Sequence, residues 1–176
     1  LRRQRQMCIR DRDKTLTKTM INNYTKNNLL PPPEKKRYTK EHLILLIYIY
    51  YLKNVISISD IQIMLKPLID HYFENPDAPH SLEEIYASLY KLEQRQHFRV
   101  ENSIMKTFEL SERDFPGADD QYIKNLNFLS LLGYDIYMKK KIMERIIDEM
   151  AAEQAKEQEQ TNGKEKKIKE ENKRKK

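Results

Sequence analysis

Four residues early in the chain, Lys18, Asn22, Asn23 and Lys26, and three that follow soon after, Lys35, Lys36 and Arg37, are those whose types and spacing suggest chemistry. An asparagine amide offers a donor beside an acceptor, and ammonium and guanidinium groups offer donors that carry full positive charge. Such a set is suited to holding a polyanion. A clustered basic excess draws in phosphate backbones or anionic membranes, with a merely solvated charged end as the plainer alternative.

No competing reaction centre is visible, and the chain is read as a non-enzyme. His42, His71, His80 and His97 are scattered without metal-ligand spacing and read as surface or packing histidines. Gly117, Gly133 and Gly163 are the only glycines, too few and too far apart to cradle a phosphate. Glu83 and Glu84 serve a helix start better than acid–base work, and Cys8, alone, makes no disulfide within the chain. The expectation is no catalytic residue, no metal and no cofactor.

The net charge of +6 is unevenly spread. Residues 1–40 hold twelve Lys and Arg against three Asp and Glu, residues 41–150 twelve against eighteen, and residues 151–176 nine against six. The positive end therefore coincides with the residues singled out above. The opening LRRQRQMCIRDR starts without methionine and is similar to a peptide found at the ends of unrelated translated assemblies. Residues 1–12 are accordingly read as a non-native segment and set apart from the fold. The lone cysteine suits a reducing cytoplasm, and the longest apolar run, LILLIYIYYL, has ten residues, too short to span a bilayer.

The elements that must position these residues read as helices. Thr17 caps a short one to about Asn27, with Met20, Ile21 and Tyr24 on one side and Lys18, Asn22, Asn23 and Lys26 on the others. Pro31, Pro32 and Pro33 then forbid helix, so the chain turns, with residues 34–37 exposed. Thr39 caps a helix to about Asn54, apolar nearly all round and hence the element on which others pack. Another starts at Ser57 or Ser59 and meets Pro67, which is expected to kink or split it. NPDAPH over residues 75–80 is a linker, and Ser81 with Glu84 forms a capping box. DFPGA over residues 114–118 breaks the pattern, Gly133 is a place to end or bend a helix, and an amphipathic pattern continues to Met150. From Ala151 the chain is charged with almost no apolar content, so disorder is expected, apart from a first part that extends the preceding helix. Tyr24 and Tyr38 read as core aromatics.

The segment LTKTMINNYTKNNLLPPPEKKRYTKEHL, continuing to Leu68, resembles the bacterial domain-of-unknown-function family 1836, over about a third of the chain. That family names no activity. A more distant likeness, to MerR-type winged helix-turn-helix regulators, implies one. Ile21 to Tyr24 stand at the end of its recognition helix, Pro31 to Lys36 look like its wing, Tyr38 and Thr39 open the next helix, and Ser57 to Ile61 match a further helix start. Asn22 and Asn23 depart from the arginine and tyrosine usual there, and the partner helix expected upstream of Leu16 is absent from the sequence.

The helical patterning, the charged tail and the MerR likeness together lead to the expectation of a mainly α protein with a winged helix-turn-helix over residues 13–74, a helical dimerisation or effector domain over 81–150 and a disordered charged tail. The likeness implies a homodimer that binds double-stranded DNA, and the lone cysteine and the short apolar run add the expectation of a cytoplasmic protein that binds no membrane. Asn22 and Asn23 would then pair with adenine edges in the major groove, Lys18 and Lys26 with guanine or phosphate, and Lys35, Lys36 and Arg37 with the backbone. The alternative is a non-catalytic helical module that binds a protein partner through the apolar stripes between Leu82 and Met150.

Overall fold

The computed structural model describes residues 16–35, 37–113 and 120–174. It is mainly α: α1 Lys18–Lys26, α2 Lys40–Leu52, α3 Ile58–Tyr72, α4 Leu82–Arg113 and α5 Gln121–Arg174. Among the described residues there is no strand, only one antiparallel bridge between Glu34 and Arg37.

The helix starts follow local hydrogen-bond logic. Thr17 Oγ1 accepts from the Met20 N–H at 3.2 Å. Ser57, not Ser59, caps α3: its Oγ accepts from the Asp60 N–H at 3.1 Å while the Asp60 carboxylate accepts from the Ser57 N–H at 3.2 Å. Ser81 and Glu84 make the same reciprocal pair at 3.2 and 2.9 Å. Each box satisfies two orphan donors of a helix end. At α2 a histidine stands in for the usual glutamate, since His42 Nδ1 accepts from the Thr39 N–H at 3.1 Å. The His42 ring is 1% exposed and meets Tyr38 and Phe73 edge-on, so it is a packing residue. His71, His80 and His97 are exposed.

One buried cluster joins the front of the chain to its back. Tyr24, Leu29 and Leu30 come from α1 and the chain after it, Leu45 and Ile49 from α2, and Ile61 and Leu65 from α3. Leu82 and Ile147, from the two long helices, sit in the same cluster. α2 packs against α3 and α4 and leaves Leu43 and Tyr51 of its apolar surface exposed, while α5 packs on α3 and α4.

Three expectations need correction. Pro67 does not split α3, which runs unbroken to Tyr72. Proline cannot donate to the carbonyl four residues back, so the Ile63 carbonyl is left over, and Gln154 Nε2 of α5 donates to it at 2.8 Å. Gly133 does not end α5, which passes through it with open space where a Cβ would stand. The stretch from Ala151, expected to be mostly disordered, is helical to Arg174. Its Ala, Glu, Gln and Lys residues are strong helix formers and no proline interrupts them, so helix propensity prevails where apolar content is lacking. The DFPGA break at residues 114–118 lies outside the described residues.

Candidate nucleic-acid interface

α1 is short, and both of its ends are fixed. After Lys26 the chain closes a Schellman turn: the Leu29 N–H donates to the Tyr24 carbonyl at 2.9 Å and the Asn28 N–H to the Thr25 carbonyl at 3.2 Å. This requires a left-handed residue between them, and Asn28 supplies it at φ 56°, a conformation asparagine tolerates better than most side chains. Leu29 and Leu30 then plunge into the core, each 1% exposed. Gln62 of α3 donates from Nε2 to the Asn27 carbonyl at 3.1 Å and ties the end of α1 to the scaffold.

The buried side of α1 is formed by Met20, Ile21 and Tyr24. Burial pushes the Tyr24 hydroxyl above its ordinary pKa, because the phenolate would have to leave water. Lys18, Asn22, Asn23 and Lys26 are all exposed. Lys18, Asn22 and Lys26 follow at i, i+4 and i+8, so they form one stripe, with Asn23 beside it. Lys26 also lies in the last turn, where positive charge suits the helix dipole.

The proline run delivers the chain to a tight turn at residues 34–37, closed by the Arg37 N–H donating to the Glu34 carbonyl at 2.8 Å. Lys35 adopts φ 46° there, and both Lys35 and Arg37 are exposed. Lys36 lies outside the described residues, as does any helix upstream of Leu16. The turn is a single bridge rather than a two-stranded ribbon. Among the described residues, Lys18, Lys26, Lys35 and Arg37 have no salt-bridge partner, in contrast to Lys40, which reaches Glu83 at 3.5 Å. Their charge is therefore not neutralised by any of the described residues.

Helix α1 thus brings four of the sequence-predicted residues onto one exposed surface, and the turn carries two more. Tyr38 differs from its expectation as a core aromatic: it is 41% exposed and touches His42 by an edge. Gln62 has no place among the sequence-predicted residues, since a contact 35 residues away leaves no local signal. Among the described residues no three of His, Cys, Asp or Glu gather as for a metal ion, and no helix is long and apolar enough to cross a membrane.

No curated protein and no solved structure matches this chain. A family model, Domain of unknown function (DUF1836), matches residues 2–89, a span that contains α1, the turn, α2, α3 and the start of α4 and takes in most of the segment set apart above. With half of its length so matched, the chain belongs to the DUF1836 family.

Proposed function

We propose that this protein is a cytoplasmic DNA-binding regulator, with α1 as recognition helix and the turn at residues 34–37 as a small basic wing. The observation that carries the reading is the stripe of Lys18, Asn22 and Lys26, exposed on a helix whose other side is locked into the core and whose ends are both capped. A rigid helix with an amide between two unpaired cations has the parts for base-edge readout flanked by phosphate contact. Lys35, Lys36 and Arg37 would add sequence-independent affinity.

The second reading, a helical module that binds a protein partner, is favoured by one specific feature. On α5, Tyr122, Leu129 and Ile136 are 69%, 64% and 63% exposed, a stripe at helical spacing that no described residue covers. The two readings join if the stripe is where two copies meet, as a two-fold DNA-binding dimer with half-sites about one helical turn apart requires.

The test is fluorescence anisotropy of the protein with a pool of duplex DNA at several salt concentrations. The proposal expects enrichment of a palindromic sequence and an affinity that falls steeply with salt. Reversing charge at Lys35, Lys36 and Arg37 together should abolish binding. A folded protein that ignores DNA at low salt, or whose triple variant loses a protein partner and nothing else, sinks the DNA reading.

A further inference from the structure

A groove unrelated to α1 opens where α2, α3 and α4 meet, with a volume of about 300 Å³, the lower end of the range for small-ligand sites. Its floor is apolar, with Leu52, Met64 and Leu89. Its walls are tyrosines. The Tyr48 and Tyr86 rings stand 6.1 Å apart at 86°, forming an aromatic corner from α2 and α4, and Tyr51 and Tyr90 rise at the mouth, 69% and 52% exposed.

Among the described residues, one charged side chain lines this groove, Glu93 of α4, and no basic one does. A neighbouring groove shares Leu89 and Glu93 with this one and is lined on its far side by Leu92, Arg95 and Arg99, neither arginine being among the residues that line the tyrosine groove. An apolar floor, electron-rich ring faces and one carboxylate are complementary to a single class of small molecule. Ring faces attract cations and the carboxylate adds a full negative charge, while an anion would meet repulsion from both. A neutral hydrocarbon would fill the floor and leave Glu93 unused. The field of the carboxylate reaches the corner: the Tyr48 hydroxyl is held above its usual pKa by burial first and by Glu93 second.

We propose that this groove is a binding site for a small hydrophobic organic cation, with the aromatic corner of Tyr48 and Tyr86 holding its apolar body and Glu93 its charge. The site stands apart from the DNA reading, sharing none of its residues. Occupancy would bridge the α2–α3 head to the first turns of α4.

The experiment is isothermal titration calorimetry of the full chain with benzyltrimethylammonium and, separately, with its uncharged isostere neopentylbenzene. The expected result is saturable one-to-one binding of the cation, about tenfold tighter than the isostere, in keeping with a desolvated cation–aromatic contact plus a nearby carboxylate. Glu93→Gln should erase that preference and leave the isostere's affinity unchanged, and Tyr90→Ala, at the exposed mouth, should weaken the cation several-fold. Glu101→Gln, also on α4 but outside the groove, should change neither affinity. Equal affinity for cation and isostere, a preference that survives Glu93→Gln, or no binding of either compound by the folded chain would each overturn the proposal. So would a cation affinity that weakens as protein concentration rises, because a second copy would then be the occupant.

Discussion

Gln154 and Ile63 are 91 residues apart in sequence and joined by a 2.8 Å hydrogen bond, and the reason is Pro67. A proline inside a helix withdraws the N–H that would have served the carbonyl four residues before it. In α3 that carbonyl belongs to Ile63, and the side-chain amide of α5 takes the vacant place. The bond satisfies a helix defect, so its worth depends on the defect being there.

That dependence can be measured. Gln154→Ala should destabilise the fold by about 1 kcal/mol, the ordinary net value of a hydrogen bond whose acceptor is then stranded. In a Pro67→Ala background the restored backbone N–H serves the Ile63 carbonyl, and the same substitution should cost close to nothing. Urea unfolding of the four proteins in the cycle gives the coupling. Additive effects would mean that Pro67 and Gln154 act independently.

For α1, Lys18→Ala should weaken DNA binding at all sequences alike and reduce the log–log salt slope by about 0.9, the signature of one lost phosphate contact. Asn22→Ala should leave the slope unchanged and relax discrimination at a base position by roughly 1–3 kcal/mol. Selection from a random duplex pool, repeated at two salt concentrations, separates the two effects. A slope change with Asn22→Ala would assign that amide to the backbone instead.

The buried Tyr24 and the half-buried Tyr48 make a prediction at alkaline pH. Tyr24 and Tyr48 are both held above the ordinary value of 10.0, so the folded state keeps their protons longer than the unfolded chain does. The stability this represents is fully present below pH 10 and is lost as pH climbs through the raised folded values. Urea midpoints recorded from pH 8 to 11.5 should therefore fall at the top of the range, and Tyr48→Phe should flatten that fall. An unchanged profile in Tyr48→Phe would remove Tyr48 from the account.

Gly133 sits inside α5 with open space around its missing Cβ. Gly133→Ala should stabilise the protein by about 0.5–1 kcal/mol through helix propensity alone, seen as a higher midpoint in thermal unfolding. A loss of stability would mean that a close neighbour, such as a second copy, occupies that space in solution.

Much of this architecture is legible in the sequence because it is local. The caps at Thr17, Ser57 and Ser81 are written within three residues of where they act, and the side of α1 left exposed follows from where Met20, Ile21 and Tyr24 must go. Long-range relations have no such signature: Gln154 with Ile63, and Gln62 with Asn27, pair residues whose types are unremarkable in isolation. Pro67 is legible as a problem but not as one already answered elsewhere. His42 passes for an ordinary packing histidine because capping boxes are read from Glu or Gln. The helix beyond Met150 escapes a reading that weighs sparse apolar content above propensity. For the interface, Lys18, Asn22, Asn23 and Lys26 can be placed from periodicity, whereas the tight geometry of the turn, with Lys35 in a left-handed conformation, cannot.

The 54 residues of α5 have a hydrodynamic consequence. At about 1.5 Å per residue that helix alone is roughly 80 Å long, about twice the diameter of a compact chain of this length. A rod attached to a small head tumbles and diffuses as something much heavier than 21.3 kDa. A single copy will leave a sizing column early and mimic a dimer, so the number of chains in solution must be taken from light scattering or sedimentation equilibrium, where elongation does not pass for mass.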